Sequence, residues 1–290
     1  MKPPLFEYVR AETLEQALSL LAEGECQPLA GGQSLIPAMN FRLADPGRLV
    51  DISRIASLRG ISVRQDGAIV AGAMTRHRDF ELDAAVRERL PLLQRAMGEV
   101  AHVAIRNRGT IGGSLAHSDP AADWPALCLA CDASMTVRSA SAERQISAEE
   151  FSTGLFTTAI EPGELLTAVH FPAWPDGRRW AVKKFTRRRG DFAIVGVALT
   201  LDLDTAGRCT AARIALQGVA DRPVLARAAQ AVLVGTKPDA GRIAEAAKAA
   251  LVELNPGSDL HASAEYRRTL VVSLVRRSLG EALGLEPLLT

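Results

Sequence analysis

Two glycine segments in the first half of the chain constrain the fold most: Ala30-Gly31-Gly32-Gln33-Ser34 and Thr110-Ile111-Gly112-Gly113-Ser114, each following an apolar stretch. Adjacent glycines let the backbone take positive φ and approach a ligand closely, and neighbouring Ser, Thr or Gln side chains add hydrogen bonds. With 23 glycines in 290 residues, either segment alone reads as an ordinary turn. Together, as two glycine loops brought into one site, they answer the geometry of a pyrophosphate. No Gly-x-Gly-x-x-Gly runs from a strand into a helix and there is no Walker lysine motif, so the sequence supports neither a Rossmann site nor a P-loop.

Local signals sketch the rest. Thr13 and Gln16 form a capping-box pattern ahead of a helix face of Leu14, Ala17, Leu18 and Leu21 that ends near Gly24. Residues 27–30 and 48–52 read as strands, and residues 60–64 and 67–73 as a hairpin about Asp66-Gly67. Helical spacing covers 80–86 and 92–100, and Asp123-Trp124-Pro125 opens another helix. A strand at 134–138 is followed by a turn at 139–145. The Pro- and Gly-rich stretch 171–178 is the expected domain boundary, dividing 1–175 from 176–290. Strands at 194–204 and 213–219 then precede helices at 223–234, 240–254 and 263–283, the last with Leu270, Val271, Leu274, Val275 and Leu279 as an apolar stripe beside Arg267, Arg268, Arg276 and Arg277. Strands followed by helices predict an α+β class.

Composition excludes several functions. A net charge of +1 gives no reason to expect nucleic acid, and the short basic run Lys183-Lys184 with Arg187-Arg188-Arg189 reads as an anion or subunit contact or a solvated face. No apolar stretch reaches the length of a membrane span and the N-terminus lacks a secretory h-region, so the expectation is a cytoplasmic chain that is not an integral membrane protein. Cys26, Cys128, Cys131 and Cys209 read as reduced thiols. Cys128-Leu129-Ala130-Cys131 has metal spacing but lacks a second pair, so no metal site is expected. His77 reads as a surface residue at a helix start. His117 and Asp119 read as loop packing rather than an acid/base pair, and no catalytic residue is assigned.

The segments 29–35, 106–123 and 184–193 resemble, in turn, the two FAD loops and the start of the C-terminal domain in the medium subunit of molybdenum hydroxylases, the group of carbon monoxide dehydrogenase and xanthine dehydrogenase. The resemblance implies a two-lobed FAD domain of the vanillyl-alcohol-oxidase type followed by a smaller C-terminal α+β domain. It implies that Ala30, Gly31, Gly32, Gln33, Ser34 and Leu35, with Thr110, Ile111, Gly112, Gly113 and Ser114, hold the pyrophosphate and ribityl chain of a non-covalent FAD. Asp123 matches an acidic position that bonds FAD hydroxyls; a helix N-cap is an equally good reading. Lys184 matches a lysine near the flavin pyrimidine edge, where a positive charge favours the anionic reduced flavin, though adjacent Lys183 leaves the register open. Phe192 falls where relatives place an aromatic beside the isoalloxazine; where some have Tyr, this chain lacks the hydroxyl.

The implied partners are a molybdenum-pterin large subunit and a [2Fe-2S] small subunit, in a dimer of heterotrimers, with electrons leaving through FAD to an external acceptor. A free-standing FAD oxidase or dehydrogenase and a nucleotide-binding scaffold without redox activity remain the alternatives. The short C-terminal half and 4% aromatic content make a poor substrate lid.

Overall fold

The computed structural model describes residues 2–285; Met1 and residues 286–290, at the ends of the two expected domains, lie outside the described residues. Three layers build on one another along the chain. The first is a parallel sheet ordered β1-β3-β2, from β1 (Glu7–Arg10), β2 (Cys26–Leu29) and β3 (Arg48–Asp51), with α1 (Leu14–Ala22) between β1 and β2 and α2 (Leu35–Asn40) between β2 and β3. The Thr13 hydroxyl accepts from Gln16 N at 3.1 Å and the Gln16 side chain accepts from Glu12 N at 2.8 Å, so reciprocal bonds close the N-terminus of the helix. Leu14, Ala17, Leu18 and Leu21 are buried on the face turned to the sheet, as their spacing predicts. The first glycine segment leaves the carboxyl end of β2.

The second layer is an antiparallel sheet ordered β4-β5-β10-β6-β7, formed by β4 (Ile61–Val63), β5 (Ile69–Gly72), β6 (Ser134–Arg138), β7 (Glu143–Ser147) and β10 (Leu165–Phe171). Its helices are α3 (His77–Leu82), α4 (Ala84–Arg89), α5 (Pro91–Met97), α6 (Val103–Arg106), α7 (Ile111–His117), α8 (Asp123–Ala130) and α9 (Ala148–Phe151), with α7 packed on β10, α9 on β6 and β7, and α3 to α5 on one another; a short hairpin pairs β8 (Ser152–Gly154) with β9 (Thr157–Thr158). The helix expected over 80–86 is broken at Asp83, whose carboxylate accepts from Val86 N at 2.9 Å and caps a new helix. Part of the turn expected at 139–145 is strand β7.

The third layer is an antiparallel sheet ordered β11-β12-β13-β14, from β11 (Arg179–Phe185), β12 (Val195–Leu203), β13 (Cys209–Gln217) and β14 (Val224–Leu225), packed by α10 (Arg227–Leu233), α11 (Ala240–Ala249) and α12 (Ala264–Ala282). Val271, Leu274, Val275 and Leu279 are buried as the stripe predicts. Arg267 is buried too, its guanidinium donating to the carbonyls of Ile194 and Gly218 and to Asp259 Oδ2 at 2.7 Å.

Helix α8 joins the second and third layers. Every residue from Trp124 to Ala130 is buried, which requires apolar neighbours all round. Its last carbonyls are capped by the third sheet: Thr200 Oγ1 donates to Ala130 O at 3.1 Å and Arg213 Nε to Leu129 O at 2.8 Å. Cys128 sits inside it and Cys131 at its C-cap, both as free thiols, and burial pushes Cys131 up to about 12 and Cys128 upward as well, so they are inert packing groups.

Candidate functional site

The fold brings the two glycine segments into contact. A Cβ on Gly31 would lie 2.3 Å from Arg108 O and 2.9 Å from Gly109 Cα, and one on Gly113 would lie 3.5 Å from Ala30 Cβ. Only hydrogen at position 31 allows that approach. Gly32 has φ +69°, the left-handed conformation that turns the chain from β2 into α2. Through this turn the amides of Gly31, Gly32, Gln33, Ser34 and Leu35 meet no protein acceptor among the described residues, while the Gln33 side chain donates back to Gly31 O at 3.0 Å. A run of open N–H groups around a left-handed residue is an anion cradle.

The second segment differs from the expected loop. Thr110 is the N-cap of α7, and Gly112 and Gly113 lie in its first turn. Its amides are already occupied: Ile111 N donates to Thr75 O at 3.0 Å, Gly112 N to Ala73 O at 2.8 Å, Gly113 N to Thr110 Oγ1 at 3.1 Å and Ser114 N to Thr110 O at 3.0 Å. Gly112 is there for proximity, since a Cβ would sit 2.6 Å from Ala73 Cβ and 2.7 Å from Ala73 O. What this segment offers a ligand is the Ser114 hydroxyl and the surface of Gly113 facing Ala30.

Behind it lies His77, which opens α3 but is buried, not on the surface. Its Nδ1 accepts from Trp124 Nε1 at 2.8 Å, and its Nε2 would meet a Cβ on Gly109 at 2.8 Å. Burial, with a smaller contribution from the Arg106 charge, lowers its pKa to about 4, so it stays neutral. The charged neighbours Arg76, Arg78 and Asp79 made this position look solvated. His117, on the last turn of α7, packs against the Phe156 ring at 5.1 Å, and burial lowers its pKa.

Asp123 and Lys184, predicted from separate segments, meet. Lys184 Nζ donates to Asp123 Oδ2 at 3.0 Å and to Glu99 O at 2.6 Å, and its side chain is only 4% exposed. The Asp123 Oδ1 accepts from Gln217 Nε2 at 2.9 Å, a partner absent from the sequence-based expectations. Burial pushes the Asp123 carboxyl upward, and Lys184 and Gln217 oppose that by bonding its ionised form. Asp123 begins α8, with Ala122 at the cap, so it is the first helical residue and not the N-cap. Lys183 instead pairs with Glu281, which settles which of the two lysines faces inward. Phe192 is 58% exposed on the segment between β11 and β12; the next residue, Ala193, anchors that segment by donating its amide to Ala121 O at 3.2 Å.

The residues fit a dinucleotide: an anion cradle that only glycine permits lies beside a second segment that offers a hydroxyl. Among the described residues, no group of three His, Cys, Asp or Glu could hold a metal, and no helix is long and apolar enough to cross a membrane.

Comparison with known proteins supplies the family. Residues 4–174 match the FAD binding domain in molybdopterin dehydrogenase, and residues 180–282 match the CO dehydrogenase flavoprotein C-terminal domain. The chain is 42% identical to the 6-hydroxypseudooxynicotine dehydrogenase complex subunit alpha of Paenarthrobacter nicotinovorans, over 98% of this chain and 96% of that one. It is 38% identical to the carbon monoxide dehydrogenase medium chain of Afipia carboxidovorans, over 97% and 98%. Among solved structures it superimposes on carbon monoxide dehydrogenase from Hydrogenophaga pseudoflava with a TM-score of 0.95 at 37% identity, covering 98% of this chain and 99% of that chain. Quinoline 2-oxidoreductase from Pseudomonas putida gives 0.92 at 38%, with the same coverage. With both halves matched and the cradle intact, the chain belongs to the FAD-binding medium subunits of the molybdenum hydroxylases.

Proposed function

We propose that this chain is the electron-transferring flavin subunit of a three-part molybdenum hydroxylase, taking electrons from [2Fe-2S] clusters on a small subunit and delivering them to an external acceptor. The substrate is oxidised on a molybdenum-pterin large subunit, and the assembly is a dimer of heterotrimers in the cytoplasm. The observation that carries this reading is the run of unpartnered amides from Gly31 to Leu35 in a chain of this family.

Bound FAD supplies the two-electron to one-electron exchange that such a relay needs. The chain's own residues do the holding. Ala30 to Leu35 grip the pyrophosphate with backbone N–H groups, and Thr110 to Ser114 close the other side, with Ser114 Oγ as the free donor. Asp123 and Lys184 orient the flavin end, Lys184 presenting a buried positive charge. Phe192 shields the ring without contributing a hydroxyl. Among the described residues, all four cysteines are free thiols. Non-covalent binding is the reading we adopt, with the FAD domain spanning 1–175 and the C-terminal domain 176–290.

The test is the visible spectrum of the purified full-length chain, followed by heat release of the chromophore. About one released FAD per chain supports the proposal. A colourless chain that takes up no added FAD, alone or co-expressed with its partner subunits, overturns it.

A further inference from the structure

Three residues stand in one line across the third sheet. Lys184 on β11 is registered opposite Gly196 on β12, which is registered opposite Gln217 on β13. Residues aligned in this way project to the same face. Gly196 leaves a gap in that face, and the Gln217 side chain lies across it: a Cβ on Gly196 would stand 2.7 Å from both Cγ and Cδ of Gln217 and 2.9 Å from its Nε2. Lys184 reaches Asp123 from one flank of the gap and Gln217 reaches it from the other. Gln217 is 4% exposed, and its Nε2 also approaches Ala121 O at 3.4 Å. The strand end behind it is fixed by Gly218 at φ +74°, whose amide donates to Pro120 O at 2.9 Å and whose carbonyl accepts from the buried Arg267 at 2.9 Å.

We infer that Gln217 is a positioning residue for the flavin, holding Asp123 so that the Lys184 charge is shared with the cofactor instead of being consumed by the carboxylate. The inference rests on the flavin reading above. A buried carboxylate with one donor draws fully on that donor; a second donor on its other oxygen divides the demand. Gly196 takes part only by making room for the amide.

The test is a double-mutant cycle in the full-length chain loaded with FAD, using Gln217→Ala, Gly196→Ala and the pair together. The readouts are the flavin midpoint potential, the FAD dissociation constant and the melting temperature without FAD. Either single substitution lowers the midpoint potential and weakens FAD binding about tenfold, the size of one hydrogen bond to a charged group. The double variant goes no further than Gln217→Ala, because Gly196 acts through the same amide. An unchanged or raised potential in Gln217→Ala overturns the inference whatever happens to the melting temperature, and so does a double variant whose effect is the sum of the two. If Gly196→Ala does not fold, Gln217→Ala alone decides. A wild-type chain that binds no FAD fails at the earlier step and removes the flavin reading together with this one, whereas bound FAD with an indifferent Gln217 removes only this one.

Discussion

The two glycine segments look alike as sequence and do opposite work in the fold. At Gly31-Gly32 the backbone amides face away from the protein's own acceptors, so the glycines create donors for something else. At Gly112-Gly113 the amides are consumed by Ala73 O and Thr110 Oγ1, so the glycines serve closeness between α7 and the β5 corner. The difference teaches that a Gly-Gly pair carries no single meaning. What matters is whether the neighbouring chain supplies acceptors for the amides that the glycines expose.

Substitutions at these positions sharpen or break that contrast. The largest effect belongs to Gly31→Ala, whose Cβ would meet Arg108 O at 2.3 Å and force the two segments apart. Losing two open amides to a charged ligand, at about 1.5 kcal/mol each, weakens FAD binding roughly a hundredfold by fluorescence titration. Near-normal affinity would mean that the first segment is not the cradle.

Gly112→Ala comes next and reads out differently. Both colliding atoms belong to the Ala73 unit, which cannot swing aside, so overpacking costs about 3 kcal/mol and lowers the melting temperature of the FAD-free chain by roughly 5–10 °C. If calorimetry finds the apo chain unchanged, the close-packing role is wrong.

A third expectation concerns pH. His77 stays neutral in the fold down to about pH 4, whereas in the unfolded chain it titrates near its ordinary value. As pH falls from about 6.5 toward 4, the unfolded chain takes up a proton that the folded chain refuses, so stability declines across that window, by about 2 kcal/mol at pH 5. His77→Gln should flatten this part of the pH profile in urea denaturation; an unaltered slope would show that His77 is not its source. The smallest effect is that of Gly32→Ala, where a left-handed Ala costs about 1 kcal/mol and FAD affinity falls about fivefold. Loss of the fold there, with affinity untouched in what remains, would reverse the contrast between the segments.

Elements with local signals were legible in the sequence. The Thr13 cap with its four buried apolar positions, the Asp66-Gly67 hairpin and the last two C-terminal helices stand where their patterns put them, within a few residues at the ends; the helix expected over 223–234 starts only at Arg227, because Val224 and Leu225 pair with β13 as strand β14. Strands β10 and β11 were missed: Phe171 pairs with Ile69 far upstream, and β11, though next to β12 in the chain, carries the Lys183-Lys184 pair that reads as a basic run. In the candidate site, both glycine segments, Asp123 and Lys184 were singled out one by one from the sequence, but nothing local announced that the last two form a pair. The burial of His77 was hidden by its charged neighbours, of which Arg76 and Asp79 are exposed and Arg78 is half-buried against Glu81. Gln217 had no signal of its own; the available hint was Gly196, a glycine inside a strand, which marks a close approach.

Helix α8 carries one more consequence. It belongs by sequence to the first half of the chain, yet the second half caps its tail through Thr200 and Arg213 and grips its head through Lys184 and Gln217. Neither half can melt without stripping partners from a helix that has no solvent-facing side. Cooperativity therefore crosses the 171–178 connection: heating should produce one transition rather than two, and the amides of α8 should exchange with solvent only when the whole chain opens.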